Sequence, residues 1–378
     1  MEMGNTADEV KDDTRLWSHL PQEIVLEVVL RLPIKSLLRF RAVCKRWKAM
    51  VSDSGFVTKQ IQTSVASDRH ARLVTRAVDG RVSSSSIHSI CQNPYNFEVL
   101  NLSCPVVGAD HQLDMMHFDV LASCNGLLLA RFGVCEHLLW NPATREVRKL
   151  PSVPWVFEFL TDVYESVGFA YDEVNDDYKV LVFFSDAWHG ERKLCTIYST
   201  RSDEWRPVDH VPGGIENRTD PGIALNGSLH WISCDNVTSR RSIVALNIST
   251  EEVKEIGLPD YGTKTTPAQK LWVFKESLCV IASKHIRSKY ELWVMKDYGF
   301  VESWSLMYQI PCWRTTYYDS HPEFLWCSKD GKLLIWFLST WLVFDTKRCV
   351  ISRGSPSPNH SIRPVVCYVE SLVSPNKV

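Results

Sequence analysis

The sequence predicts a mainly β protein with a small N-terminal α domain, in which three short helices precede about six four-stranded repeats. Three observations support this prediction. Apolar residues recur at helical spacing between residues 18 and 51. From about residue 70 the chain consists of short runs rich in Val, Leu, Trp and Tyr, broken by Asn, Asp and Gly about every eight to twelve residues. Within this second region, two kinds of segment recur at a regular interval.

The segment 18–51 is predicted to form three helices. Pro21 suits the first position of a helix, where no backbone N–H is needed, and apolar residues follow it at spacings of three and four. Pro33 ends this helix, because a proline disfavours helical angles in the residue before it. A second helix is expected over about 35–40. A third helix is expected from about Ala42, with apolar residues at intervals of four: Val43, Trp47 and Val51.

This helical segment is too small to bury its own apolar residues. Three short helices hide little apolar surface, and a unit of this size is marginally stable alone. Apolar residues left over at helical spacing are typical of a surface that packs against helices of another protein. We therefore expect part of the segment to be covered by a partner.

The sequence divides into four regions. Residues 1–14 are polar and acidic and are expected to be disordered, and residues 15–55 contain the helices. Residues 56–70 are mostly polar and are predicted to be a linker with one or two helical turns. Residues 71–378 show no further helical period, so this region is predicted to be all-β.

The β region contains two interleaved series of repeats. In the first, a strand, a tight turn and a strand recur at a nearly constant step, the turns lying near Gly126, Asp176, Gly227, Glu276 and Gly331. The second series lies between these and has nearly the same step, anchored at Asn141, Ser199, Asn247, Lys296 and Asp345. Two series with one period indicate a four-stranded unit, and a period of about 50 residues is the size of one propeller blade. The segment 70–378 then has room for about six blades, with five or seven still open.

A closed ring of blades removes unpaired strand edges, and the segment 364–373 is predicted to complete the first blade. In four-stranded meanders the first and third turns lie on one face, and here those turns are short. The second turns and the connections between blades are long and lie on the other face. Their aromatic and basic residues either pack against neighbouring loops or make this face the recognition surface. The candidate residues for binding a target are Trp155, Phe157, Trp188, His189, Arg240, Arg241, Arg287, Trp313, Tyr317 and Tyr318.

Composition and charge indicate an ordinary soluble chain. The formal net charge is −2 and 23% of residues are charged, so the overall balance favours neither nucleic acid nor a membrane. The longest apolar run, 333–344, is too short to span a bilayer, and the N-terminus lacks the apolar core of a signal peptide. We expect a cytoplasmic or nuclear protein. A basic run without acidic residues fits a solvated face or an acidic partner better than nucleic acid: Arg31, Lys35, Arg39, Arg41, Lys45, Arg46 and Lys48.

The twelve cysteines and the histidines do not form a recognisable site. No C-x-x-C pair occurs, and even the closest pair, Cys124 and Cys135, is far apart in sequence, so we expect reduced thiols and no bound metal. His230 and the segment 117–119 are isolated, and no motif of a serine hydrolase, zinc peptidase or phosphate-binding loop occurs. Acidic residues cluster in predicted turns, where they cap the turn, rather than as the paired carboxylates of a glycosidase. The sequence predicts neither a catalytic site nor a cofactor.

Three stretches of the helical segment closely resemble the F-box: LPQEI (20–24), LRLP (30–33) and SLLRFRAVCKRW (36–47). The F-box docks substrate receptors onto the Skp-type adaptor of cullin-based ubiquitin ligases, so the resemblance implies that adaptor, and through it a cullin, as partners. The adaptor-facing and core residues implied in this way are Leu20, Pro21, Ile24, Val28, Leu30, Leu32, Pro33, Leu37, Val43, Cys44 and Trp47.

The β region is similar to the F-box-associated domain of plant F-box proteins, a group that includes S-locus-like receptors. The similarity lies in residues 126–151, 167–180, 225–231 and 368–373. The chain departs from true kelch repeats, because its only Gly-Gly doublet is at 213–214. The resemblance implies a non-catalytic receptor subunit that binds a target protein for ubiquitination. A propeller lectin, a small-molecule-binding or enzymatic propeller with an incidental helical cap, and a non-degradative scaffold remain alternatives.

Overall fold

The computed structural model shows two joined parts, a helical domain and a six-bladed β-propeller. Residues 1–14, which are predicted to be disordered, lie outside the residues that it describes. The described residues are 21–77, 79–103, 118–133, 136–154, 163–186, 193–208, 220–235, 238–262, 268–283, 289–311, 322–337, 340–354 and 362–376.

Three helices lie within the segment that the sequence assigns to them. Pro21 and Pro33 each occupy an N-cap position with extended backbone angles, so Pro21 lies one residue before the helix rather than at its first position. The third helix begins three residues later than Ala42, because residues 41–43 form turns and Cys44 is extended. Val43 therefore lies outside the helix. The helices of this domain are α1 (Gln22–Leu30), α2 (Ile34–Phe40), α3 (Lys45–Val51) and a fourth, α4 (Ser54–Val65).

Helix α4 occupies most of the region that the sequence predicts to be a linker with one or two helical turns. It has 12 residues, and the Asp53 side chain caps it by accepting a hydrogen bond from the Phe56 N–H at 3.0 Å. Its buried residues, Phe56, Gln60 and Ser64, follow one another at a spacing of four. Two of the three are polar, whereas the apolar series at a spacing of four is only half-buried, at Val57 and Ile61, or exposed, at Val65. The short 3₁₀ turn Asp68–His70 then leads into the propeller.

The helical domain shares its core with the propeller. The fully buried residues of this core come from all four helices and from one position near the C-terminus, Leu372, which is 2% exposed. A unit of about 45 residues buries too little surface to be stable alone, so the contribution of Leu372 fits its need for apolar contacts. The helical members of the core are Val29, Ile34, Leu37, Val51 and Phe56.

The propeller has six antiparallel sheets of four strands each, as the repeat period predicts. Blades 2 to 6 each use four consecutive strands, beginning with β4, β8, β12, β16 and β20, and blade 1 has the order β24-β1-β2-β3. The strands are β1 (Ala71–Ala77), β2 (Val82–Ser86), β3 (Val99–Asn101), β4 (Phe118–Cys124), β5 (Leu127–Phe132), β6 (Glu136–Asn141), β7 (Glu146–Lys149), β8 (Val163–Asp172), β9 (Asp177–Asp186), β10 (Lys193–Ser199), β11 (Glu204–Pro207), β12 (Ile223–Leu225), β13 (Ser228–Cys234), β14 (Arg241–Asn247), β15 (Val253–Ile256), β16 (Ala268–Phe274), β17 (Ser277–Ser283), β18 (Tyr290–Met295), β19 (Trp304–Ile310), β20 (Glu323–Cys327), β21 (Lys332–Phe337), β22 (Thr340–Asp345), β23 (Val350–Gly354) and β24 (Ile362–Val369).

The C-terminal strand closes the ring. Strand β24 pairs antiparallel with β1, from Ala71 opposite Val369 to Ala77 opposite Ile362. It also contacts β4 and β20, the first strands of the two neighbouring blades, so it is the innermost strand of blade 1. The predicted closing segment, 364–373, overlaps this strand, but it extends four residues beyond the end of the strand at Val369. Residues 370–373 leave the sheet and reach the helical domain.

Three turns of the second repeat series share one local design. Asn141 caps its turn by accepting hydrogen bonds from the N–H groups of Ala143 (2.8 Å) and Thr144 (3.2 Å). The chain then passes through a left-handed conformation at Arg145, whose φ is 64°. Equivalent side-chain caps occur at Asn247 and Asp345. These turns and the first-series turns lie on the same face, because they are the third and first turns of each meander.

Blade 1 departs from the all-β prediction. A helix of six residues, α5 (Ile87–Gln92), lies between β2 and β3. The Ser86 hydroxyl caps it by accepting a hydrogen bond from the Ser89 N–H at 3.4 Å, and Ile87 and Ile90 are buried against blade 6. Among the described residues, none of the helices has the length and apolarity that crossing a membrane requires.

Candidate functional site

An apolar surface on the helical domain is exposed to solvent. Ile24 and Val28 lie one turn apart on α1 and are 50% and 46% exposed, and Val43, in the turn before α3, is 66% exposed. Pro21, Pro33 and Cys44 are also exposed. These six residues belong to the predicted docking set, and the structure places them on the outside of the domain. We refer to Ile24, Val28 and Val43 as the apolar strip.

The rest of the predicted set contributes to the core. Leu37 is fully buried, and Leu30, Leu32 and Trp47 are half-buried against the same core. The Trp47 ring lies 4.9 Å from the Phe40 ring, centroid to centroid. Leu20 lies outside the described residues. Sequence reasoning did not identify Phe56 as part of this core, although its spacing of four to Gln60 is the available signal.

The helical domain also exposes many basic residues. Helices α2 and α3 and the turns beside them carry seven Lys or Arg residues without an acidic residue, whereas Glu23 and Glu27 are the acidic residues of 21–51. Glu27 and Arg31 form an ion pair of 3.2 Å on the solvent-exposed side of α1. The charge of this surface therefore favours an acidic partner. Its exposed basic members are Arg31, Lys35, Arg39, Lys45, Arg46 and Lys48.

Helix α4 is hydrogen-bonded to the C-terminal segment of the propeller. The buried Gln60 side chain accepts a hydrogen bond from the Leu372 N–H at 3.3 Å and donates to the Glu370 carbonyl at 3.5 Å. It also donates to Ser64 Oγ at 2.6 Å. A buried amide needs such partners, so the polar face of α4 is specific for this segment.

The C-terminal segment is in turn held by blade 2. The Asn141 side chain donates hydrogen bonds to the carbonyls of Ser371 (3.1 Å) and Val373 (2.6 Å). The Ser371 hydroxyl donates to the Asn125 carbonyl at 2.6 Å. Asn141 therefore has two functions, since it caps its own turn with Oδ1 and fixes the C-terminal segment with Nδ2. We refer to Gln60, Asn141 and residues 370–373 as the clasp.

A second attachment lies just beyond the C-terminal end of α4. Asp68 accepts hydrogen bonds from the Trp326 indole N–H at 3.3 Å and from the Lys329 N–H at 2.7 Å, both in blade 6. The Glu370 N–H donates to the His70 carbonyl at 3.0 Å. The helical domain is thus fixed to blades 1, 2 and 6 rather than tethered by a flexible linker.

The helical domain lies on the face of the short turns. Its contacts involve the turns after Cys124, after Asn141 and after Cys327, which are first or third turns of their blades. The long connections between strands belong to the opposite face. Of the predicted target-binding residues, Trp155, Phe157, Trp188, His189, Arg287, Trp313, Tyr317 and Tyr318 lie outside the described residues.

Two predicted target-binding residues are described, and both lie on the long-loop face at the start of β14. Arg240 is exposed and its guanidinium is 3.9 Å from the Glu255 carboxylate. Arg241 is half-buried and is paired across the sheet with Cys234. An exposed ion pair as long as this one contributes little to stability.

The buried ionisable groups have structural partners. His230 is fully buried, with Nδ1 3.0 Å from the Ile223 carbonyl oxygen and Nε2 2.6 Å from the Tyr298 hydroxyl, and burial lowers the pKa of its ring. Asp119 accepts hydrogen bonds from Arg76 and Arg131. Within the described ranges, no three metal-binding side chains come together. The arrangement holds neighbouring strands together, and His117 lies outside the described residues.

The cysteines that the structure describes carry free thiols. Burial raises the pKa of Cys91 and of Cys327 to about 12. A thiol with so high a pKa stays protonated at neutral pH and is a poor nucleophile.

Comparison with known proteins shows similarity over nearly the whole chain. A family model described as "F-box domain" matches residues 17–59, and one described as "F-box associated beta propeller domain" matches residues 79–375. Among similar proteins of Arabidopsis thaliana, F-box/kelch-repeat protein At3g23880 is 29% identical, over 95% of this chain and 96% of that protein. F-box protein At3g07870 is 26% identical over 93% and 85%, and F-box protein CPR1 is 23% identical over 94% and 88%.

Both family models match in the order and at the places where the structure has its two parts. The first covers the four helices, including α4 as far as Lys59, and the second covers all but the beginning of the ring. The chain therefore belongs to the F-box proteins whose F-box domain is followed by an F-box associated beta propeller domain.

Proposed function

We propose that this protein is a substrate-recognition subunit of a cullin-based ubiquitin ligase. The F-box docks on a Skp-type adaptor through the apolar strip, and the long-loop face of the propeller binds a target protein. The observation that carries this proposal is the exposure of Ile24, Val28 and Val43 on a domain most of whose other large apolar side chains pack in its core. Exposed apolar residues on a domain that also exposes many basic residues fit a helical and acidic partner.

In this mechanism the protein positions a target near the conjugating enzyme and performs no chemical step itself. The ligase complex holds a ubiquitin-conjugating enzyme near the bound target, which raises the local concentration of activated ubiquitin around the lysines of the target. A fixed joint between the F-box and the propeller supports this role, because it keeps the target at a defined distance and orientation. The clasp, at the middle of α4, and Asp68, just beyond its C-terminal end, provide such a joint.

A direct binding experiment tests the adaptor interface. We expect Ile24→Asp/Val28→Asp to abolish binding of a purified Skp-type adaptor, since two carboxylates would be buried in an apolar contact. Both positions are exposed, so the variant should keep the stability of the wild type. Val174→Asp is a matched control, because Val174 is exposed on a turn of blade 3. Adaptor binding that is equal in the double variant and the wild type would refute the interface.

A second experiment distinguishes a degradative receptor from a scaffold. With the proteasome active, a target of a degradative receptor should accumulate when the double variant replaces the wild type. A scaffold bound to the adaptor predicts unchanged target levels. The propeller should bind the same target in both cases, because the long-loop face lies opposite the F-box.

A further inference from the structure

The outer strand of blade 5 differs from the outer strands of the other five blades. Strand β19 has seven residues, whereas the other outer strands have three, four, four, four and five. Its sequence, WSLMYQI, contains no charged residue. Four of the other five outer strands contain Lys, Arg or Glu, and the fifth has only three residues. Long, uncharged edge strands are the ones that pair with another strand.

Exposed apolar side chains are concentrated at this edge. Of the thirteen large apolar or aromatic residues that are exposed in the described part of the chain, five lie within residues 298–307. Phe300 is 67% exposed, Leu306 41% and Met307 39%. No other ten-residue stretch of the described chain holds three such residues. A cluster of this kind on a folded domain marks an interaction surface.

A bulge shapes the edge and gives it a centre. In β19, Leu306 pairs with Trp293 and Tyr308 with Leu292, so Met307 has no partner in β18. The adjacent residues Leu306 and Met307 are consequently both exposed, although neighbours in a regular strand point to opposite faces. The bulge leaves one segment of three residues on each side of Met307.

The charges at the two ends of the edge are complementary. Glu302 is exposed just before β19 begins. Lys289 is exposed beside the other end, where its Nζ lies 3.3 Å from Gln309 Oε1. If β19 met a second β19 antiparallel, Glu302 of each copy would approach Lys289 of the other. A contact with two-fold symmetry requires this kind of self-complementarity.

We propose that β19 pairs with β19 of a second copy of this chain, antiparallel about a two-fold axis at Met307, so that two propellers join edge to edge. Residues 304–306 of one copy then lie opposite residues 308–310 of the other, and the bulges meet at the axis. The backbone groups at the outer edge of β19 gain the hydrogen-bond partners that an edge strand lacks. Leu306 and Met307 of both copies are covered in the same contact.

The position of blade 5 leaves both F-boxes accessible in such a dimer. The helical domain contacts blades 1, 2 and 6, and blade 5 lies opposite blade 2 in the ring of six. In the described contacts, the pairing edge therefore lies on a blade that the helical domain does not touch. Each copy retains its adaptor surface, so dimer formation and adaptor binding are separable by mutation.

The oligomeric state of the full chain tests the proposal. In sedimentation equilibrium across the micromolar range, the wild type should be a dimer and Leu306→Lys/Met307→Lys a monomer, because lysines on an edge oppose strand pairing. Val350→Lys is the matched control, an exposed apolar residue on the outer strand β23, and it should remain dimeric. A monomeric wild type, or a double variant that stays dimeric, would overturn the proposal.

A charge exchange tests the register without altering β19. Glu302→Lys alone should raise the dimer dissociation constant by about tenfold, since it replaces two attractive contacts with repulsive ones. Glu302→Lys/Lys289→Glu should restore the wild-type value. Equal dissociation constants for the single variant, the double variant and the wild type would overturn the antiparallel register. If the wild type is monomeric and lysines at 306 and 307 abolish target binding, the edge belongs to the target instead, which also overturns the proposal.

Discussion

Leu372 should be essential to the F-box although it lies at the opposite end of the sequence. Its side chain is 2% exposed and completes the core formed by Val29, Ile34, Leu37, Val51 and Phe56. Truncating a buried leucine to alanine removes about 2–5 kcal/mol of stability, depending on how far the surroundings collapse. A domain of this size has little more than that to lose. We therefore expect Leu372→Ala to increase local unfolding of the F-box while the ring remains folded.

Hydrogen exchange measured by mass spectrometry reads this effect segment by segment. If α1 to α3 exchange through unfolding of the helical domain, a loss of about 2 kcal/mol accelerates exchange of their amides about 30-fold. Leu246→Ala is the matched control, because Leu246 is fully buried between blades 3 and 4. That variant should accelerate exchange in those blades and leave α1 to α3 unchanged. Wild-type exchange rates in α1 to α3 of Leu372→Ala would refute the shared core.

Three further predictions concern the joint, a contact between blades and the adaptor surface. Gly126→Ala should loosen the clasp and accelerate exchange in α1 to α3, because φ at Gly126 is 84° and a Cβ there would clash with the Ser371 side chain. Gly227→Ala, with φ of 68° and open space, should cost only about 1 kcal/mol of backbone strain. Lys179 Nζ lies 2.7 Å from Asp172 Oδ2 and 2.8 Å from the Ile248 carbonyl of the next blade. Lys179→Met leaves the Asp172 charge buried without this partner, so it should lower the free energy of unfolding in urea titrations by about 3–5 kcal/mol. Asp172→Asn/Lys179→Met removes both charges and should lower it by less. Affinity for the Skp-type adaptor should fall as ionic strength rises from about 0.1 M to about 1 M, because salt screens the basic residues of the helical domain. Calorimetry measures this affinity, and an unchanged value would contradict an electrostatic contribution.

The Asp172 contact also sets a pH dependence. Burial alone would raise the pKa of this carboxyl, but hydrogen bonds from Asn175, Lys179 and Ser249 outweigh burial and hold the pKa well below its usual range. The folded state therefore binds the proton less readily than the unfolded chain. The stability that Asp172 contributes is fully present above the ordinary carboxyl pKa of about 4 and is lost as pH falls below it. Asp172→Asn should remove this part of the acid dependence, which urea titrations at pH 3 and pH 7 would measure.

The ring was predictable from the sequence because its turns are marked by residue type. The Asn125-Gly126 and Asn226-Gly227 pairs adopt positive φ, and Asn141, Asn247 and Asp345 cap their turns with side-chain oxygens. These chemical requirements recur from blade to blade, so the period is visible without the structure. The closing strand was predictable for a related reason, since an unpaired first blade would leave an exposed edge.

The joint between the two parts was not predictable from local pattern. Val57 and Ile61 of α4 pack against the core of blades 2 and 3, and Gln60 finds its propeller partners in the main chain of residues 370 and 372. No spacing rule connects positions so far apart in sequence. Helix α5 was not predicted, because six residues are too few to establish a helical period.

The docking surface was predicted as one set of residues, but the structure divides that set. Ile24, Val28 and Val43 face solvent, whereas Leu37 is buried and Trp47 partly so. Spacing along a helix identifies apolar positions and cannot tell whether a position faces its own core or a partner. The division follows only from how the four helices and Leu372 pack together.

We propose that the apolar strip, and not the propeller, connects this protein to the ligase. The most direct measurement is quantitative co-purification from cells in which the proteasome is inhibited, comparing the wild type, Val174→Asp and Ile24→Asp/Val28→Asp. We predict that the adaptor and the cullin co-purify with the wild type and Val174→Asp but not with the double variant, while proteins bound by the propeller are retained by all three. Recovery of the adaptor and the cullin with the double variant at wild-type levels would contradict the claim.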